Sequence, residues 1–380
     1  MYEKKTRNSF FGNFSVQKKH QFLRMAVSIL IGLGLATLLI VTTSERPKTS
    51  LNLFFFAPLQ NVTYFSFWIQ KAIPLMFTGA AVCIMFSANQ FNLGLEGAFL
   101  FGGMFGGFYV NYFWFLDKHI PGIIVGCIIG GLVGSFITMI PAILERLFGA
   151  SIMVTSLMMN YVCLWYSCYL LFSKYKDPRT SKSTWSWAPA NGEILVTKIK
   201  MGTEKLTIFY SLFIALAIVV IAWFFLYRTK IGFKLRQVGE NAHFAKYIGI
   251  SVSGIAFLAQ IIGGFIGGVG GACEIMSLYT NYRWVELTGF GWDGVTMAVF
   301  AKNNPRNVPL AALFISYLRA GAYVMSVQTG IQADFTKVVE AVIIIFLLAE
   351  QFLSKTYRKM IIKEAEKERA LRQLAEGEAK

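Results

Sequence analysis

The chain has 380 residues, of which 55% are apolar, 16% aromatic and only 15% charged, with a mean hydropathy of +0.54, whereas soluble domains carry roughly 25% charged residues. That composition excludes a soluble globular protein, and at about 20 residues per spanning helix it leaves no room for a large soluble domain. The 36 Lys and Arg against 20 Asp and Glu give a formal charge of +16, which in a membrane chain is read first as an excess of basic residues in cytoplasmic loops, not as a nucleic-acid surface.

Residues 1–24 carry Lys4, Lys5, Arg7, Lys18, Lys19 and Arg24 with one acid, Glu3, and precede the apolar run 25–42. A signal peptide would have a shorter apolar core and a small-residue cleavage site, so this segment is expected to be a retained first span behind a cytoplasmic tail. Further apolar segments follow at about 69–88, 92–115, 121–143, 151–172, 207–227, 250–271, 286–301, 306–326 and 334–353. They predict an all-α polytopic membrane protein of about ten transmembrane helices, a transmembrane domain over 25–353 with a charged cytoplasmic tail at 354–380. With both termini inside, 22 basic residues fall in the inner connections and 11 in the outer ones, as the positive-inside bias requires. The exception is the outer loop 173–206, whose seven basic residues, Trp185 and Trp187 suggest a structured cap or a miscounted span. The short segment 286–301, with Glu286 and Asp293 inside it, reads as a broken or re-entrant helix, which is tolerated where it lines a cavity.

Glycines recur at one-turn spacing: Gly122, Gly126, Gly130 and Gly134 in one segment, Gly102/Gly106 and Gly103/Gly107 in another, Gly263/Gly267/Gly271 and Gly264/Gly268 in a third. Such faces let helix backbones approach closely in lipid, as fixed packing or as sliding surfaces. Gly289, Gly291 and Gly294 spell G-x-G-x-x-G, but their neighbours are membrane segments instead of a βαβ unit, so no dinucleotide site is expected. No G-x-x-x-x-G-K-[ST] occurs, so ATP hydrolysis by the P-loop route needs another subunit. Cys83, Cys127, Cys163, Cys168 and Cys273 lie singly in apolar segments and the three histidines are scattered; no bound metal is expected.

Ionisable residues at membrane depth are functional candidates by default. Glu96 stands one turn into the helix after the break Asn89-Gln90-Phe91-Asn92, where Asn92 is a candidate cap and the carboxylate either serves its own helix N-terminus or a transport path. Glu274, Asp293, Arg319 and Glu340 are the others, with Arg319 a partner for one of the acids. In the inner loop 228–249, Asn241 can cap a short helix, Gly249 can end it, and Phe244, Tyr247 and Ile248 share one side. A helix so short needs a surface to lie on, so the loop is either a solvated basic connection or a docking element.

The blocks FNLGLEGAFLFGG (91–103), RTKIGFKLRQVGENAHFAKYIGI (228–250), GGFIGGVGGACE (263–274) and GFGWDGVTMAVFAKNNPRNVPLAALF (289–314), followed by LRAGAYVMSVQTGI (318–331), occur in one collinear order. Over residues 70–353 the chain resembles the permease subunits of bacterial ABC importers, and within them the nucleoside (simple-sugar-like) permease family related to branched-chain amino acid and ribose permeases. The resemblance implies a fold like the type II importer permeases, with the translocation path between two permease subunits in the bacterial cell membrane. It also implies coupling to the ATPase through Gly239, Glu240, Asn241, Ala242, Ala245 and Gly249, which match a G-E-N-A-x-x-A-x-x-x-G-I pattern of the family, and so favours docking for this loop. Implied partners are a fused tandem-ATPase subunit carrying ATP and Mg, a second and commonly different permease, an extracytoplasmic substrate-binding lipoprotein, and membrane lipid; no cofactor sits on the chain itself and no nucleic acid is expected. For a nucleoside, a flat neutral base on a polar sugar, Asn89, Phe91, Asn92, Glu96, Phe290, Trp292 and Asp293 offer the mix of aromatic faces and hydrogen-bonding groups a weak path requires. The alternatives are a permease for ribose, other simple sugars or branched-chain amino acids, and a secondary transporter acting alone through Glu96, Asp293 and Arg319, against which stands the lack of an evident inverted repeat with paired broken helices.

Overall fold

A computed structural model describes residues 26–113, 120–173, 185–186, 195–201, 204–279, 281–330 and 334–348; the tails at 1–24 and 354–380 and most of the loop 173–206 lie outside them. Thirteen helices occur among the described residues, numbered here in chain order. They are α1 (Ala26–Thr43), α2 (Pro47–Gln60), α3 (Val62–Ser87), α4 (Leu95–Phe113), α5 (Ile120–Phe148), α6 (Ile152–Ser173), α7 (Tyr210–Arg228), α8 (Lys230–Glu240), α9 (Ala242–Tyr247), α10 (Val252–Leu278), α11 (Phe290–Phe300), α12 (Val308–Thr329) and α13 (Phe335–Leu348). Seven described helical segments, in α1, α3, α5, α6, α7, α10 and α12, are long and apolar enough to cross a membrane. Each of the ten expected spans coincides with a helix, and the chain is a multi-pass membrane protein.

Two expectations need correction. The connection 43–63 holds α2, and α3 begins seven residues before the expected 69. The reason is tertiary: polar atoms that lower the hydropathy of this stretch find partners in the fold. Trp68 Nε1 donates to the Leu313 carbonyl (2.9 Å), and Ser66 Oγ accepts from the Thr207 amide (3.1 Å). On α2, Phe54 and Phe55 present backbone carbonyls to α12, the first against Gly321 and the second accepting from the Tyr317 hydroxyl. Conversely, the segment expected to span from 207 starts as a helix only at Tyr210, because 204–209 (β3) pairs with 196–201 (β2) in an antiparallel hairpin. The hairpin is tied to the end of α10 through Leu195, whose amide donates to the Met276 carbonyl (3.3 Å), and the short strands 185–186 (β1) and 281–282 (β4) pair beside it.

The chain forms two compact units, residues 52–324, and residues 1–51 with 325–380. In the second of these, α1 buries the one-turn stripe Ser28, Gly32, Ala36 and Ile40, and Asp334 and Lys337 pair at the start of α13 (2.9 Å). In the larger unit α4, α5 and α10 meet along the glycine stripes read from the sequence. A Cβ on Gly268 would overlap the Gly130 carbonyl, one on Gly134 the Gly264 carbonyl, and one on Gly102 the Gly268 backbone. The core continues through Phe77, Phe99, Met85 and Met297, all buried. Outward, Ile128 and Leu132 of α5, Tyr161, Trp165 and Tyr169 of α6, and Val220, Ile221 and Phe224 of α7 are exposed, as lipid-facing surface should be.

Candidate functional site: two interrupted helices and the segment 239–249

Two stretches of irregular backbone enter the larger unit. The first, 88–94, separates α3 from α4, and the second, 283–289, precedes α11. Leu95, at the start of α4, packs on Gly267 near the middle of α10. With 11 residues, α11 is about 16 Å long, half of a hydrocarbon core of roughly 30 Å. Two helices therefore begin at mid-depth. The sequence reading expected one re-entrant segment, 286–301, and placed the break Asn89-Gln90-Phe91-Asn92 as a connection between two full spans, so it saw no pair of broken helices.

In lipid every backbone donor and acceptor must be satisfied inside the protein. At the first break this is done by polar side chains from several elements. Asn92, buried, accepts from the Gly94 amide (2.8 Å) and donates through Nδ2 to Gln260 Oε1 (2.6 Å) and the Thr138 carbonyl (3.3 Å). Gln260 Nε2 donates on to Gln90 Oε1 (3.3 Å). Asn160 of α6 donates to the Leu93 carbonyl and accepts from the Gly97 amide, both at 2.9 Å, while Ser156 Oγ accepts from the Leu93 amide (3.0 Å). Asn89, at the turn, takes the left-handed conformation (φ 54°) that asparagine tolerates. A cavity of about 550 Å³ opens beside Gln90, lined also by Glu145, Arg146, Lys246, Ser251 and Ser253.

The second break rests on Glu96. This buried carboxylate does not cap its own helix; Oε1 accepts from Thr288 Oγ1 (2.8 Å) and the Gly289 amide (2.7 Å), and Oε2 from the Gly291 amide (2.6 Å). It thus holds the N-terminus of α11, where unpaired amides and the helix dipole favour an anion. The G-x-G-x-x-G glycines serve this geometry: Gly289 is left-handed (φ 80°), a Cβ on Gly291 would sit 2.8 Å from Glu96 Cα, and one on Gly294 2.8 Å from Thr78 Cβ. One turn on, Asp293 makes a two-pronged ion pair with Arg319 of α12 (2.5 and 2.8 Å).

The segment 239–249 touches the first break directly. Asn241 Oδ1 caps α9 by accepting from the Phe244 amide (3.0 Å), and Gly249 ends that turn with φ 83°. Ala245 is buried, whereas Phe244 and Ile248 are about half exposed and Tyr247 is 90% exposed. Gly239, at the end of α8, lies so close to the Ser87 carbonyl and the Asn89 amide that a Cβ would overlap the former. Glu240 and Ala242 are exposed beside it.

Of the seven pathway candidates, Asn92 and Glu96 are buried in hydrogen bonds that hold backbone, Phe290 packs on Phe99 (ring centroids 5.0 Å apart), and Asp293 is tied to Arg319. Asn89, Phe91 and Trp292 are exposed. Glu274 is buried on the α10 face that packs Gly263 and Gly270 against α3, and Glu340 is buried in the other unit; neither joins the site. Sequence reasoning missed Gln260, Asn160, Ser156 and Thr288. Amide side chains inside otherwise apolar spans, as in LMMNYV and FLAQII, were the available signal.

A family model described as the branched-chain amino acid transport system / permease component matches residues 64–348. The chain belongs to this permease family. The guanosine ABC transporter permease protein NupP of Bacillus subtilis is 26% identical over 343 residues, covering 87% of this chain and 94% of that protein. The nucleoside ABC transporter permease protein NupB of Lactococcus lactis is 26% identical over 339 residues, covering 87% and 91%. The glucose ABC transporter permease protein TsgB13 of Haloferax volcanii is 25% identical over 344 residues, covering 87% and 88%. No solved structure matches the chain significantly. As a permease of this family it is a translocation subunit, and its interrupted helices belong to the membrane part of a transport system.

Proposed function

We propose that the chain forms half of the translocation path of an ATP-driven nucleoside importer in the bacterial cell membrane, with both termini cytoplasmic. The partners in this reading are a tandem-domain ATPase that supplies ATP and Mg, a second permease, and an extracytoplasmic binding lipoprotein. The observation that carries it is the seat of Gly239 on Ser87 and Asn89. A push or pull on α8 and α9 is delivered without slack to the break that starts α4, and Glu96 passes it to α11. The cargo class rests on the two full-length relatives named for guanosine and nucleosides. The relative named for glucose, at nearly the same identity, keeps a sugar as the second reading.

The test is uptake of labelled nucleoside in cells lacking the chain and in cells with it restored, with unlabelled nucleosides, ribose, glucose and leucine as competitors and with ATP depleted in parallel. Saturable, ATP-dependent uptake that yields only to nucleosides is the expected result. Competition by a sugar or leucine replaces the cargo, and uptake that follows an ion gradient and ignores ATP overturns the importer. In the same cells Gly239→Val, and Glu240→Lys with Asn241→Ala, should abolish uptake while the chain remains in the membrane; full uptake in either removes the coupling assignment.

A further inference from the structure

The lower part of α7 carries a stripe at helical spacing, Leu216, Val220, Trp223 and Tyr227. Its upper three residues, with Arg306 and Pro309 opposite, line an apolar groove of about 400 Å³. Its last residue opens into a second cavity of about 600 Å³ between the end of α7, α8 and residues 248–250. That cavity is walled by Tyr227, Arg228, Lys230, Phe233, Lys234 and Arg236, and no acidic residue lines it. The Arg236 guanidinium lies over the Tyr227 ring (4.9 Å to the centroid), and its buried Nε has no hydrogen-bond partner among the described residues. Cationic side chains in a single hollow repel one another, and a buried guanidinium N–H without an acceptor is costly. Both terms reverse when an anion enters.

We infer that the two cavities form one binding site for an anionic phospholipid of the leaflet on the α8 side. The headgroup phosphate is held by Arg236 with Arg228, Lys230 and Lys234, and one acyl chain lies along Leu216, Val220 and Trp223. The occupant follows from the two hollows lying end to end along one helix stripe, where the Trp223 ring of the first and the Tyr227 ring of the second are 6.4 Å apart. A soluble anion would fill only the basic one, and a neutral lipid only the apolar one. Arginine suits the headgroup because its planar fork matches phosphate oxygens. Juxtamembrane basic residues contribute roughly a factor of five each toward anionic lipid. The site adjoins α8, so an occupied lipid braces the element that seats Gly239.

The experiment is native mass spectrometry of the full chain in mild detergent with added phosphatidylglycerol or phosphatidylcholine, alongside melting curves. One phosphatidylglycerol per chain should survive transfer, with phosphatidylcholine retained at least about ten-fold less. Arg228→Gln with Arg236→Gln should cut retention about thirty-fold, Arg228→Lys with Arg236→Lys should keep most of it, and Arg46→Gln with Lys48→Gln should leave it unchanged. Val220→Trp, at a position 62% exposed, fills the groove without touching charge and should displace the lipid in a chain that melts normally. Equal retention of the two lipids, full retention by the glutamine pair, or displacement of phosphatidylglycerol by millimolar inorganic phosphate with no effect of Val220→Trp would each overturn the site.

Discussion

The two mid-depth interruptions solve one problem in opposite ways. At 88–94 the backbone is satisfied by three side chains, Asn92, Ser156 and Asn160, with Gln90, Gln260 and the Thr138 carbonyl completing the net. At 283–289 a single carboxylate, Glu96, takes three donors by itself. Neutral amides spread over α5, α6 and α10 make the first break redundant. The second is concentrated, and because Glu96 belongs to α4, the place where α11 begins is dictated by the place where α4 begins. Irregular backbone in a membrane is thus either shared among neighbours or handed to one residue, and here the second arrangement ties the start of α11 to α4 through a single carboxylate.

The largest effect expected from this contrast is that of Glu96→Ala. Three donors, buried at Gly291 and partly buried at Thr288 and Gly289, lose their acceptor at about 1–3 kcal/mol for a buried one, so folded yield and uptake should both fall by more than ten-fold, read by size-exclusion profile and transport; Glu96→Gln, which keeps one carbonyl acceptor, should fall between. A Glu96→Ala chain that folds and transports normally would dissolve the distinction. Asn160→Leu, close in size, removes two bonds from the shared net and should lower stability by about 1–3 kcal/mol, with uptake reduced less than in Glu96→Ala. Equal damage would show that the first break is as fragile as the second. The smallest effect belongs to Asp293 and Arg319, whose side chains are about a fifth exposed. A double-mutant cycle with Asp293→Asn and Arg319→Gln should return a coupling of about 1 kcal/mol; several kcal/mol would make this pair a second anchor of α11 and weaken the claim for Glu96.

The sequence was most readable where physics is local. Long apolar runs marked the spans, glycines at one-turn spacing marked the faces that meet, and Asn241 and Gly249 marked both ends of α9. It was least readable where a polar atom's partner lies far along the chain. Asn92 meets Gln260 and Glu96 meets Gly289 from remote positions, and adjacency made Glu96 look like a cap for its own helix. α2 was hidden because its aromatic, proline-containing segment is only 14 residues long, short of a span and flanked by polar residues. The coupling role proposed for Gly239 comes from resemblance, since spacing alone describes a short amphipathic turn; the contact with Ser87 gives a steric reason for a residue without a side chain there.

The glycine seam of α4, α5 and α10 bears on how the fold is reached. Immobilising a long side chain on assembly gives up rotamer freedom worth as much as 1.5–2 kcal/mol, roughly, and glycine gives up none. Three helices joined through Gly102, Gly130, Gly134, Gly264 and Gly268 therefore come together at little entropic loss beyond that of the helices themselves. On the far side of α5, Ile128 and Leu132 stay exposed and keep their freedom.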